Sequence, residues 1–319
     1  MGNTGYYTHR DFWKHEMGRG HPECPERLDA IEDRLLATGV ADALERHDDD
    51  IPLATLAQIT RAHSAEHMER LEALAQRLVA DAPAGGPDHA PVDPDTSLCR
   101  GTLLAARRAA GAAIAATDAV MGGQLQNAFC AVRPPGHHAC REQAMGFCFL
   151  NNVAIAARHA LDEHGISRVA VVDFDVHHGN GTEDILAGDP RVLMVGIFQH
   201  PFYPFSGTDH PADNMVNVPI PAYTRGMDVR EMIEAVWMPR LEAFRPELLI
   251  VSAGFDAHRE DELGQLGLNE NDYIWITSRI REVADRHAKG RIVSMLEGGY
   301  NLDALARSVE AHVRVLADL

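Results

Sequence analysis

The chain has 319 residues, 45% of them hydrophobic and 24% charged, a mix that excludes a disordered, collagen-like or disulfide-stapled chain. Lys and Arg number 29 against 47 Asp and Glu, a net charge of −18. That balance argues against nucleic acid or anionic membrane as a partner and would draw in a cationic substrate, although solubility alone also accounts for it. At about 150 residues per domain the length suggests two domains, yet large open sheets reach this size as one unit. No linker, repeat or low-complexity tail interrupts the chain, so residues 1–319 are expected to form a single domain. The N-terminal MGNTGYYTHRDFWKH lacks the apolar core of a signal peptide, and Tyr6 stands where an N-myristoylation motif wants Ser or Thr. Five cysteines (Cys24, Cys99, Cys130, Cys140 and Cys148) without a C-x-x-C pair fit reduced thiols and a cytoplasmic location. The run Ala109–Met121 is too short and too Ala-rich to span a bilayer.

In chain order, helical periodicity runs from Glu26 to Leu36, from Ala65 to Leu78 and from Leu98 to Val120. Between the last two lies DAPAGGPDHAPVDPDT, whose Pro, Gly and Asp predict a loop long enough to be functional. Beyond it, β-branched runs alternate with amphipathic helices. The strands are Asn127–Val132, Arg168–Phe174, Arg191–Phe198, Glu247–Ala253 and Arg291–Leu296. The helices are Asn151–His164, Val229–Phe244, Tyr273–His287 and Leu302–Leu316. Continuous apolar strands separated by helices predict an α/β fold with a parallel sheet covered on both faces.

The segments at the strand ends are chemically unusual. After Val132 comes RPPGHHAC with His137 and His138; after Val172 comes DFDVHHGNG with Asp173, Asp175, His177, His178 and Asn180. After Ala253 comes GFDAH with Asp256 and His258, and after Leu296 comes EGGYN with Tyr300. Open α/β sheets bind ligands at these carboxyl ends. Asp175-x-His177 in extended chain lets a carboxylate and an imidazole lean the same way, and Asp256 from a neighbouring strand would complete a three-ligand site. Oxygen and nitrogen donors without thiolate suit Zn²⁺, Fe²⁺, Co²⁺ or Mn²⁺, and three protein ligands leave a position for water or substrate. The His137–His138 pair offers near-neutral proton transfer. Asp173 would hold His137 and raise its pKa, whereas Asn180 would orient His138 without adding charge, which favours His138 as general base and His137 as electrostatic support. Tyr300, after two glycines, would donate its phenol to a developing oxyanion.

PPGHH, DFDVHHGNG, AGFDAH and EGGY, in that order, resemble the arginase/deacetylase superfamily, specifically the zinc-dependent histone deacetylases and their bacterial relatives. RGHPECPERLDAI, VDPDTSL and Asn180 resemble the class II members. The resemblance runs from about His21 to the C-terminus. It implies a three-layer α/β/α fold with an eight-stranded parallel sheet. It further implies Zn²⁺ on Asp175, His177 and Asp256, catalytic His137, His138 and Tyr300 supported by Asp173 and Asn180, and hydrolysis of an N-acyl amine by activated water. Gly146 and Phe147 on one side and Tyr203 on the other would wall a substrate tunnel for an acyl-lysine side chain. A K⁺ ion beside the zinc is implied through Asp173 and backbone carbonyls around Asp175 and His177, although Gly196 stands where a serine normally assists.

The expected activity is therefore a metal-dependent amidohydrolase acting on acylated lysine, with acetylpolyamines or other small acylated amines as the alternative. Leu263 stands where polyamine specialists carry an acidic guard, which leans toward acyl-lysine, while Glu260, Asp261 and Glu262 keep the question open. An arginase-like ureohydrolase with two manganese ions would need carboxylates where Gly179 and Asn180 stand. A silent binding protein would not need every catalytic position filled. The loop around Ala82–Asp95 is expected to shape the tunnel rim or a contact in a homo-oligomer.

Overall fold

The apolar runs become the inner strands of one sheet. The computed structural model describes residues 3–82 and 85–319. Its first part holds β1 (Thr4–Tyr7), α1 (Glu26–Ala37), β2 (Leu44–His47), α2 (Leu56–Ile59), α3 (Ala65–Asp81), β3 (His89–Pro91), β4 (Ser97–Cys99) and α4 (Thr102–Met121). The central part holds β5 (Asn127–Cys130), α5 (Asn152–Glu163), β6 (Val169–Asp173), α6 (Asn180–Leu186), β7 (Val192–Gln199) and β8 (Met215–Ile220). The last part holds α7 (Gly226–Met232), α8 (Met238–Phe244), β9 (Leu248–Ala253), α9 (Glu270–His287), β10 (Ile292–Leu296) and α10 (Leu302–Ala317).

Eight strands form an all-parallel sheet in the order β2-β1-β5-β10-β9-β6-β7-β8. Strands β6, β9 and β10 are buried along their whole length, which is why they read as uninterrupted apolar runs rather than as alternation. Helices α1, α9 and α10 pack together, as do α4 and α5, giving the helical layers that flank the sheet. The chain is thus a single-domain α/β/α fold. The neighbours β5, β10, β9 and β6 deliver the four chemically unusual segments to one edge of the sheet. Among the described residues no helix is long and apolar enough to cross a membrane.

Three strands of the eight-stranded sheet escape the sequence signal. Strands β1 and β2 are four residues each, and β2 is a half-exposed edge strand of mixed polarity. The opposite edge, β8, carries Pro219, tolerated there because an edge strand leaves some N–H groups unpaired. The helix expected from Leu98 begins instead at Thr102, since Leu98 and Cys99 pair antiparallel with Ala90 and His89. That hairpin places a strand inside the segment expected as a loop. Pro83 and Ala84 of the loop, and the Met1–Gly2 start of the myristoylation motif, lie outside the described residues.

The expected Val229–Phe244 helix starts at Gly226 and contains a π-helical turn at Ile233–Trp237 just before Pro239. A proline lacks the N–H that a regular turn requires, and the wider turn accommodates it.

Candidate metal and catalytic site

Asp175 and His177 leave the end of β6, and Asp256 leaves the end of β9 beside it. His177 Nδ1 lies 2.9 Å from Asp175 Oδ1 and 3.2 Å from Asp256 Oδ2. One donor atom from each of the three residues falls within 4.8 Å of the others. Glycines make room for the carboxylates: a Cβ on Gly254 would stand 2.0 Å from Asp175 Oδ2, and one on Gly298 would stand 2.0 Å from Asp256 Oδ2.

Two observations fit this group to a divalent cation. Asp256 Oδ2 is buried without a hydrogen-bond partner, a costly state unless a ligand completes it. Burial and the Asp175 carboxylate push Asp256 up to about 7. Burial alone would lower His177, but Asp175 and Asp256 outweigh it and hold the imidazole up at about 10. A positive charge is therefore favoured where the three side chains meet, and two carboxylates with one imidazole are a donor set zinc accepts.

A second cluster, Asp118, His159 and His164, also brings three donor atoms together. There both imidazole Nε2 atoms lie 2.7 Å from Asp118 Oδ1, so hydrogen bonding accounts for the geometry. It sits where α4 and α5 end, away from the strand ends that carry the first group.

The tandem histidines have different partners. His137 Nδ1 lies 3.0 Å from Asp173 Oδ2 and its Nε2 is 3.8 Å from Asp175 Oδ1. Burial would lower its pKa, yet Asp175 and Asp173 raise it well above the ordinary imidazole value. His138 Nδ1 lies 2.7 Å from Asn180 Oδ1. The Asn180 amide nitrogen points to Cys140 Sγ and Met145 Sδ, both at 3.4 Å, so its oxygen faces the ring. His138 then donates from Nδ1 and keeps a lone pair at Nε2, the tautomer a base requires. Burial, His137 and His177 hold its pKa well below the ordinary value.

Tyr300 comes directly after Gly298 and Gly299 (φ +119°). Burial raises its pKa well above that of a free phenol, so the hydroxyl keeps its proton. The Arg27 guanidinium carbon sits 5.0 Å from the ring centroid, and Phe147 meets the same ring edge-on at 5.8 Å.

Of these groups His138, His177 and Tyr300 share one cavity of about 240 Å³, lined also by Asp95, Gly146, Phe147, Phe202, Tyr203, Glu262 and Leu263. Gly146, Phe147, Tyr203 and Leu263 thus stand together with the catalytic candidates, as their sequence positions alone could not establish. Asp95, from the loop expected to shape the tunnel rim or a subunit contact, and Glu262, beside the expected guard position Leu263, join the lining, and Phe202 joins it without a sequence signal. Phe202 stacks on His177 with centroids 5.4 Å apart. Glu297 also escapes sequence reasoning: its buried carboxylate accepts from the Gly136 and His137 backbone N–H groups at 2.7 and 3.1 Å, fixing the histidine turn.

Not every polar residue near the motifs joins the site. His178 is bound to Ser206 Oγ and Glu183 Oε2, each at 2.8 Å, and buried His258 lies 3.5 Å from Glu270. Asp173 Oδ1 accepts from Asp175 N at 3.1 Å while Oδ2 meets His137 Nδ1 at 3.0 Å.

Comparison with known proteins agrees with this geometry. The histone deacetylase domain family matches residues 21–316. A histone deacetylase-like amidohydrolase of Pseudomonas aeruginosa is 38% identical over 291 residues, covering 88% of this chain and 73% of that protein. A probable deacetylase of Archaeoglobus fulgidus is 35% identical over 309 residues, covering 94% and 82% respectively. The crystal structure of the HDA15 HD domain superposes with a TM-score of 0.89 at 32% identity, over 100% of this chain and 90% of that one.

Proposed function

The chain belongs to the histone deacetylase family, and from that premise we propose that it is a zinc-dependent deacetylase of N-acyl-lysine-type amides, releasing free amine and acetate. The observation that carries this reading is the meeting of Asp175, His177 and Asp256 beside a cavity that also holds His138 and Tyr300. Those three ligands would hold the zinc. When bound, the ion supplies Lewis acidity toward the amide carbonyl and the attacking water.

The chain's own groups supply the rest. His138 Nε2 accepts a proton from the water as its oxygen adds to the carbonyl carbon. The Tyr300 hydroxyl donates a hydrogen bond to the carbonyl oxygen as negative charge grows on it. His137, whose Nδ1 faces Asp173, adds positive potential beside the reaction. A protonated histidine of the pair then delivers a proton to the amine nitrogen as the C–N bond breaks. Phe147 and Tyr203 flank the aliphatic stem of the substrate and exclude water from it.

Small acylated amines are the second reading. Asp95 and Glu262 in the cavity lining favour a cationic substrate, whereas Leu263 in the same lining favours an uncharged stem. A matched panel of acetyl-lysine peptide and N-acetylputrescine, assayed on zinc-loaded protein, separates the two. Acetyl-lysine is expected to win; a preference for the diamine above about tenfold in kcat/KM would reverse the ranking. Absence of turnover on every acylated amine would remove the deacetylase reading.

A further inference from the structure

Tyr300 stands in a segment that has little intrinsic reason to hold still. Two glycines precede it, and Gly299 adopts φ +119°, a conformation in which an L side chain is strained. Yet a hydrogen bond aimed at a developing oxyanion is useful only if the phenol is held within a fraction of an ångström of its place.

The backbone here is clamped from outside. Asp261 is only 6% exposed. Its Oδ2 accepts from the Tyr300 N–H at 2.6 Å and from the Asn301 N–H at 3.0 Å. Its Oδ1 accepts from the Leu263 N–H at 2.9 Å. Asn301 is also the N-cap of α10, so the carboxylate sits at a helix N-terminus, where the backbone dipoles favour negative charge.

Three donors to one carboxylate join two loops. One arrives from β9 and carries Leu263; the other leaves β10 and carries Tyr300. Both residues line the substrate cavity. We propose that Asp261 is a positioning residue that sets the place of the Tyr300 phenol through these backbone bonds and fixes the Leu263 wall in register with it. This rests on the deacetylase reading and extends it to a residue that touches neither substrate nor metal ligand.

The test is a double-mutant cycle on the zinc-loaded protein with an acetyl-lysine peptide: wild type, Asp261→Asn, Tyr300→Phe and the double variant. Asparagine keeps the shape but turns an N–H toward one of the backbone donors. Asp261→Asn is expected to lower kcat by about tenfold or more with KM within about twofold, and to cost no further activity once Tyr300 is Phe. Losses that multiply in the double variant, or an unchanged kcat in Asp261→Asn, would overturn the proposal.

Hydrogen exchange on the wild-type chain covers the case in which the variant does not fold. Slow exchange of the Tyr300 and Asn301 amides is expected, and fast exchange would show that no clamp exists. A wild type inactive on all acylated amines would sink the underlying reading instead, an outcome the cycle and the exchange data keep separate.

Discussion

His138 Nδ1 lies 2.7 Å from the amide oxygen of Asn180, a neutral acceptor, while the adjacent imidazole of His137 faces a carboxylate. In the proposed mechanism this difference divides the labour of the pair. Burial, His137 and His177 push His138 down, Asp175 pulls it up less strongly, and Asn180 adds no charge to tip the balance. Asn180→Asp would place an anion at that oxygen and favour protonated His138. The acid limb of the kcat/KM profile is expected to move to higher pH by about one unit or more, with lower activity at neutral pH. A profile superposable on the wild type would take His138 out of the role of base.

Removing the cation should be felt in stability as well as in turnover. Asp256 Oδ2 is buried without a well-formed hydrogen bond, and Asp175 repels it. Zinc that binds the folded chain alone would stabilise it, by about 4 kcal/mol when free metal exceeds Kd about a thousandfold. A chelator is expected to abolish activity and lower the Tm, and added zinc to restore both. Asp256→Asn should lose the zinc-dependent rise in Tm; calorimetry with and without metal checks it.

Gly146 leaves no room for a side chain in the cavity wall. It adopts φ +55°, and a Cβ there would stand 2.5 Å from His138 Cδ2 and 2.9 Å from the Tyr203 hydroxyl. Gly146→Ala is expected to cost about 1–3 kcal/mol in stability. Displacing His138 should also cost activity, on the order of a hundredfold in kcat/KM. Chemical denaturation and steady-state kinetics on one preparation test both, and a fully active alanine variant would contradict the packing.

The acid side of the stability profile should report a histidine outside the cavity lining. His312 is buried, with Nδ1 2.7 Å from Thr277 Oγ1 and Nε2 2.8 Å from Ser294 Oγ, and burial pushes its pKa down to about 3. An unfolded histidine titrates near about 6.5. Between those values the unfolded chain binds the extra proton, so stability falls as pH falls through this window, by up to about 1.4 kcal/mol per pH unit from this group. Stability from denaturant melts at pH 5 and pH 7 should differ less in His312→Gln than in the wild type. An equal difference in both would assign the acid sensitivity elsewhere.

The linear chain shows its central strands because both of their faces are buried: VAVVD, LLIVSA and IVSML leave no alternation to confuse the reading. The edge strands LERH and MVNVPI are hidden because one side of each faces no partner strand, so polar residues and a proline are tolerated. The Leu98–Cys99 segment reads as helix because its apolar residues run into those of α4, and only the pairing with His89 and Ala90 makes it a strand.

Chemical identity and position after a strand are local properties, and so Asp175, His177, Asp256, the histidine pair and Tyr300 can be picked out before any fold is known. What the chain order leaves open is distance. The sheet order sets β9 between β6 and β10, bringing carboxylates 81 residues apart in number (175 and 256) around one imidazole. Folding also enlists Asp261, Glu297 and Phe202, whose roles arise from backbone N–H groups and cavity walls supplied by other segments. Such partners leave no pattern along the chain, because a hydrogen bond or a shared wall exists only once the strands are side by side.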